Sequence, residues 1–234
     1  METCSLEKRG NVFLLTLTGD DEHRLNPTLI DSIRAAVRRA RAEAAAGPSV
    51  LITTSHGKFF SNGYDLAWAS SDTARLESMD SKLRSLVSDL LNLPMPTIAA
   101  VNGHASAAGF VIALSHDYVL MRKDRGFLYM SELDKGMEIP AWFVALLKSK
   151  AASPRAWREV VLKAAKLTAN MGMEVGVVDS AHGSPEETVK AAVELGEKLV
   201  ARGWDGHVYA HCRRTVYSNV SVSLGSDLET RSRL

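Results

Sequence analysis

The sequence predicts an α/β domain with a mainly parallel sheet and a helical C-terminal region. Three observations carry this prediction. Short apolar, β-rich runs alternate with helical periods through the first half of the chain, the pattern of strands joined by crossover helices. From Pro140 onward the chain reads as successive helices, in AWFVALLKSK, REVVLKAAKL and ETVKAAVELGEKLVARG. No internal repeat and no low-complexity linker divides it, so the 234 residues are read as one domain, with a core over about 1–195 and a C-terminal helical segment and flexible tail over about 196–234.

The elements follow in order. Residues 11–18 read NVFLLTLT, closed by Gly19-Asp20, and are predicted as a strand. Asn26-Pro27 opens a helix, with Asn26 as N-cap and Pro27 at the first helical position. Leu29, Ile33, Ala36 and Val37 form one face of that helix and Arg34, Arg38 and Arg41 the other, and Gly47-Pro48 ends it. Residues 50–54 (VLITT) are a buried strand, followed by the glycine-punctuated loop at 56–65. Residues 81–93 are helical on Leu83, Leu86, Val87, Leu90 and Leu91, and Pro94 and Pro96 stop them. Residues 97–101 (TIAAV) are a strand that runs into Asn102-Gly103, and residues 105–114 start a close-packing helix of small residues. Residues 118–121 and 127–130 are further short strands.

Composition narrows the function. Lys and Arg number 28 and Asp and Glu 27, a net charge of +1, which favours neither nucleic acid nor a membrane surface as partner. No apolar run reaches the length of a membrane span, and METCSLEKRG lacks the apolar centre of a secretory signal. Cys4 and Cys212 stand near opposite ends without metal spacing, and the histidines show none either, so no metal site and no disulfide framework is expected. The last three residues, Ser232, Arg233 and Leu234, are a conservative variant of the Ser-Lys-Leu peroxisomal address, which makes the peroxisomal import receptor an expected partner.

Four segments carry a resemblance. They are GKFFSNGYDL (57–66), PTIAAVNGHASAAGFVIALSHDYVL (96–120), FLYMSELDKGMEIPAWF (127–143) and LTANMGMEVGVVDSA (167–181). In order and spacing they resemble the crotonase (enoyl-CoA hydratase/isomerase) superfamily, and within it the plant peroxisomal Δ3,Δ2-enoyl-CoA isomerases. The resemblance implies a crotonase-like fold of repeated ββα units. It also implies an acyl-CoA thioester as substrate, with coenzyme A part of that substrate and no separate cofactor, and a homotrimer or hexamer.

Moving a double bond from the 3,4 to the 2,3 position needs a base at C2, a proton returned at C4, and donors for the charge on the thioester oxygen. The resemblance puts the donors at the backbone N–H groups of Tyr64 and Ala108. It puts the base at Glu132, where Met130, Leu133 and Ile139 are expected to desolvate the carboxyl; Asp134 and Glu138 are nearby rivals. The position that holds a second glutamate in the family's hydratases is Val111 here, which favours isomerase over hydratase. Lys58, Phe60, Asn62, Gly63, Asp65, Ala107, Gly109, Pro140 and Trp142 are the expected substrate-binding positions. Several have a plain structural reading beside this one. Lys58 also reads as a solvated loop lysine, Asp65 as a loop-fixing acid, the small residues 105–109 as close helix–strand packing, and Trp142 with Phe143 as core, and for Lys58 and Asp65 the structural reading is preferred. The alternatives are a hydratase or another crotonase-type acyl-CoA enzyme, or a catalytically weak acyl-CoA-binding protein.

Overall fold

The computed structural model describes residues 3–44, 47–151 and 153–231, the last six as backbone. A hairpin opens the chain. β1 (Cys4–Arg9) and β2 (Val12–Leu17) pair antiparallel with Arg9 opposite Val12, so Gly10-Asn11 is a two-residue turn. β1 has no counterpart in the sequence reading. Its residues, CSLEKR, are half charged and only Cys4 is fully buried, so no apolar run marks it. α1 (Pro27–Glu43) starts as expected, with the Asn26 side chain accepting from the Leu29 N–H at 3.0 Å.

Three ββα units follow. The first is β3 (Val50–Ser55), β4 (Phe59–Ser61), α2 (Leu66–Ala69) and α3 (Thr73–Leu91). The second is β5 (Thr97–Val101), β6 (His104–Ser106) and α4 (Ala108–Leu114), and the third is β7 (Tyr118–Arg122), β8 (Leu128–Tyr129) and α5 (Ala141–Lys150). The chain ends with α6 (Pro154–Trp157), a π turn (Arg158–Leu162), α7 (Ala169–Glu174), β9 (Ser180–His182), α8 (Pro185–Val200), α9 (Gly206–Val216) and α10 (Ser218–Arg231). The first strand of each unit joins a six-stranded sheet, ordered β1-β2-β3-β5-β7-β9. The second strand of each joins a three-stranded parallel sheet, β4-β6-β8. At the β5–β6 corner the Asn102 amide donates to Thr54 Oγ1 at 2.7 Å and to the Ser55 carbonyl at 3.2 Å. Asn102-Gly103 is therefore a structural turn.

Strand alternation sorts the core onto two faces. Val12, Leu14, Val50, Ile52, Ile98, Ala100 and Leu120 pack with Ala192 of α8. Phe13, Leu15, Leu17, Leu51, Ala99 and Val101 point the other way, into the main core with α1, α3, α4 and α5. A sheet covered on both faces needs strands that are apolar throughout, which is why these strands are legible as unbroken apolar runs.

Several sequence expectations change. The helix expected in REVVLKAAKL is a π turn that ends at Leu162, and the loop expected at 56–65 contains β4. The helix expected from residue 81 starts at Thr73, where the Asp72 side chain caps it. Ala105 and Ser106 belong to β6, and the helix begins only at Ala108. The tail expected to be flexible is helical through Arg231, and Ser232, Arg233 and Leu234 lie outside the described residues. Among the described residues no helix is long and apolar enough to cross a membrane.

Candidate active site

The loop after β4 is strapped in place by its backbone. Leu25 N–H donates to the Gly63 carbonyl at 2.8 Å, Asp65 N–H donates to the Leu25 carbonyl at 3.1 Å, and Asn62 N–H donates to the Glu22 carbonyl at 2.8 Å. The Asp65 carboxylate caps α2 through the Trp68 N–H at 2.9 Å and accepts from the Asn26 amide at 3.3 Å. Asp65 is thus a loop-fixing residue, and it is not among those that line the cavity described below.

The β6–α4 junction meets this loop. Ala107 has φ 50° and ψ −121°, a conformation that costs an alanine about 1–3 kcal/mol, and its N–H is held by the Tyr129 carbonyl at 2.9 Å. Ala108 follows as the first residue of α4, where backbone N–H groups have no partner within a helix. Gly63 has φ +74°, and a Cβ built on it would lie 2.9 Å from the Ser106 carbonyl oxygen and 3.5 Å from the Ala108 nitrogen. The two backbone segments expected to hold the donors are therefore in contact. Gly109 serves packing. A Cβ there would stand 2.2 Å from the Ser61 carbonyl oxygen, a backbone atom that cannot step aside. Gly109→Ala is expected to cost about 1–3 kcal/mol through overpacking, read as a lower denaturant midpoint with an unchanged m-value; an unchanged midpoint would contradict this close approach.

Glu132 stands at the cavity formed where these segments meet. It precedes the 3₁₀ turn Leu133–Lys135 and is 7% exposed. Its Oε2 has no hydrogen-bond partner, and among the described residues it is the only buried carboxylate oxygen in that state. The cavity measures about 160 Å³. Tyr64, Leu66, Leu76, Ala107, Met137, Pro140 and Phe143 supply much of its wall, with Asn62, Asp80, Ser131, Glu132, Lys135 and Glu138 as its other polar groups. Burial pushes the Glu132 carboxyl above the ordinary glutamate pKa. The backbone N–H groups of Glu132 and Ser131 and the Lys135 charge pull the other way without cancelling it.

The structure brings together Asn62, Tyr64, Ala107, Glu132 and Pro140 on one cavity wall, with Gly63 and Ala108 immediately behind. Three other expected positions are not among the residues that line the cavity. Phe60 is wholly buried in the main core. Trp142 is also wholly buried, edge-on to Phe143 at 4.4 Å, and Phe143 lines the cavity in its place. Lys58 is exposed, lies over the Phe59 ring at 5.6 Å and does not line the cavity. His104 stacks between Phe59 and Phe127 at 5.0 and 5.5 Å. Val111 is wholly within the core rather than on the cavity wall. Of the rivals to Glu132, Glu138 reaches the cavity while Asp134 does not line it.

Leu66, Leu76, Lys135, Met137 and Asp80 of the wall escaped the sequence reading, and Asp80 is the buried acid among them. Asp80 lies on α3, is 7% exposed, accepts from Tyr64 Oη at 3.1 Å and is ion-paired with Arg84 at 2.8 Å. The signal was present: an acid and a base four residues apart, set among the apolar positions Met79, Leu83 and Val87, is an unusual thing to bury.

Solved structures share the fold. A probable enoyl-CoA hydratase from Mycobacterium tuberculosis superposes with a TM-score of 0.88 at 20% identity, covering 99% of this chain and 95% of the other. An enoyl-CoA hydratase/isomerase family protein from Pseudomonas syringae gives 0.89 at 23%, covering 97% and 96%. The fold is thus of the crotonase class. The chain belongs to the enoyl-CoA hydratase/isomerase family, whose model matches residues 7–229. Curated relatives include enoyl-CoA delta isomerase 1, peroxisomal, of Arabidopsis thaliana, 59% identical over 98% of this chain and 95% of its own. Enoyl-CoA delta isomerase 2, peroxisomal, and enoyl-CoA delta isomerase 3 of the same plant are 51% and 52% identical, each over more than nine-tenths of both chains.

Proposed function

We propose that the protein is an enoyl-CoA delta isomerase that converts 3-enoyl-CoA to 2-trans-enoyl-CoA, with Glu132 as the single proton carrier. The observation that carries this is the unpartnered Glu132 Oε2, buried beside the contact between the Tyr64 loop and the Ala107–Ala108 junction. The names and identities of the Arabidopsis relatives support the reaction.

Glu132 takes a proton from C2, and the electron pair delocalises onto the thioester oxygen as a dienolate. Backbone N–H groups of Tyr64 and Ala108 stabilise that oxygen, aided by the positive end of α4. Protonated Glu132 then returns the proton at C4, and the double bond comes to rest between C2 and C3. Atoms and charge balance without water or an external acid. A hydratase needs a second acid held beside the first; of the other two carboxylates at the cavity, Asp80 is paired with Arg84 and Glu138 is exposed to solvent. The same reading carries a homotrimer or hexamer. Peroxisomal residence in the β-oxidation of unsaturated fatty acids is supported by the names of two relatives.

The test is to supply a 3-enoyl-CoA to the purified protein and follow 2-enoyl-CoA; no turnover of several chain lengths would overturn the reading. The pH profile has a defined sign. The base works ionised, so kcat/KM is expected to fall as pH drops through the Glu132 pKa. Because burial raises that pKa, the acid limb should lie above the ordinary glutamate value of about 4.3. A flat profile down to that value in protein that is still folded would argue against Glu132.

A further inference from the structure

We propose, on the reading that this site isomerises enoyl-CoA, that Asp80 is a positioning residue: it anchors the Tyr64 side chain and so holds the Tyr64 backbone N–H at the thioester oxygen, while Arg84 cancels its charge.

The geometry is a chain of contacts that begins at the cavity wall. Tyr64 Oη donates to Asp80 Oδ1 at 3.1 Å, and Arg84 Nε donates to Asp80 Oδ2 at 2.8 Å. Arg84 is itself fixed, with its guanidinium 5.2 Å from the Trp142 ring centroid and a hydrogen bond to the Leu224 carbonyl of α10 at 3.1 Å. Asp80 and Arg84 are 7% and 5% exposed. Tyr64 and Asp80 both line the cavity with Glu132.

Stability alone is a poor reason for this pair. A buried ion pair gives up hydration that its attraction barely restores, and apolar residues of like volume often do as well or better. α3 already offers an apolar stripe at Met79, Leu83, Leu86, Val87 and Leu90. Position is the better reason. Tyr64 follows Gly63 at φ +74°, a corner held through the backbone by the Gly63 carbonyl, the Asp65 N–H and the Tyr64 carbonyl, which accepts from the Leu66 N–H at 3.0 Å. Fixing the phenol adds an anchor along the direction of the Tyr64 side chain. A misplacement of about 1 Å in a group that orients the reaction is enough to cost roughly a hundredfold in rate. The anchor must be an acceptor, because the phenol donates. It must also carry no net charge, since an uncompensated carboxylate would oppose the negative charge that develops on the thioester oxygen. Asp80 with Arg84 meets both conditions, and Arg84 has the further effect of tying the site to α10.

The test compares Asp80→Leu, which removes the acceptor, Tyr64→Phe and the double variant with wild type in 3-enoyl-CoA turnover. Each single variant is expected to lower kcat roughly 10–100-fold with KM changed less than threefold. The double variant is expected to be no slower than the slower single, because both remove the same contact. A kcat within twofold of wild type in both singles would overturn the proposal, as would losses that multiply in the double. A KM rise with kcat unchanged would also overturn it, by making the network a binding feature. Arg84→Met, which takes the compensating cation away from Asp80, is expected to lower kcat, and Asp80→Asn, an acceptor without charge, combined with Arg84→Met to recover part of that loss. No such recovery would overturn the role given to Arg84. Wild-type protein that fails to turn over sinks the isomerase reading itself and this proposal with it; a working wild type with unaffected variants sinks this proposal alone.

Discussion

Glu132→Gln is expected to lower kcat about 10²–10⁴-fold, the range supplied by a positioned acid–base group, while leaving acyl-CoA binding within a few-fold of wild type. The amide keeps the shape of the carboxyl and cannot accept the C2 proton. The same substitution is expected to stabilise the fold at neutral pH. Burial raises the Glu132 pKa above its unfolded value. The native state then favours the protonated form, and the stability this confers is complete below the unfolded value of about 4.3 and lost as pH rises through the folded pKa. Above both values the ionised carboxylate weighs against folding, and glutamine removes that burden. A variant both inactive and more resistant to denaturant at pH 7 than at acidic pH, relative to wild type, is the signature of a base kept at a cost to stability. Retained turnover would move the base to Glu138, the other candidate acid at the cavity.

Arg213→Met is expected to cost about 3–5 kcal/mol, the penalty for leaving a buried charge without its partner. Arg213 on α9 and Asp117, just before β7, have side chains only 2% and 11% exposed. The guanidinium also donates to the carbonyls of Leu93 at 2.7 Å and Met95 at 2.5 Å. Burial pushes the Asp117 carboxyl up, but the hydrogen bonds and charge of Arg213 outweigh this and hold it below the usual aspartate value. The sign of the pH dependence follows. A depressed carboxylate stabilises the fold above its unfolded pKa of about 3.9, and that contribution fades as pH falls through the folded value. The deficit of Arg213→Met should therefore be largest near pH 7 and shrink in acid, as Asp117 takes up a proton. Equilibrium denaturation at the two pH values reads this directly. A deficit independent of pH would assign the loss to the carbonyl contacts alone.

Much of the fold was legible because burial leaves a period in the sequence. Strands covered on both faces read as NVFLLTLT, VLITT and TIAAV, and Asn26-Pro27 marked a helix start that the Asn26–Leu29 hydrogen bond bears out. β1 and β9 were illegible for the opposite reason. They are edge strands, and an edge strand with an exposed face carries little apolar signal. The extra turns at the start of α3 were missed because Thr73–Asp80 reads as mixed and polar, while the cap at Asp72 is a single residue.

The sequence by itself determined the order of β2, β3, β5 and β7 and the helices between them, the small-residue segment that lets two backbone segments touch, and the acidic residue available beyond β8. These are properties of short stretches, written in residue type and spacing. The tertiary structure alone decided which side chains face the cavity. Neighbours on a helix point about 100° apart, so Phe143 lines the wall and Trp142 fills the core, although both are large and apolar. Asp80 and Tyr64, sixteen positions apart, meet only because α3 packs back over the loop after β4. A periodic pattern gives the width of a buried face but not the partner it is turned toward, and that partner is set by how the elements close on one another.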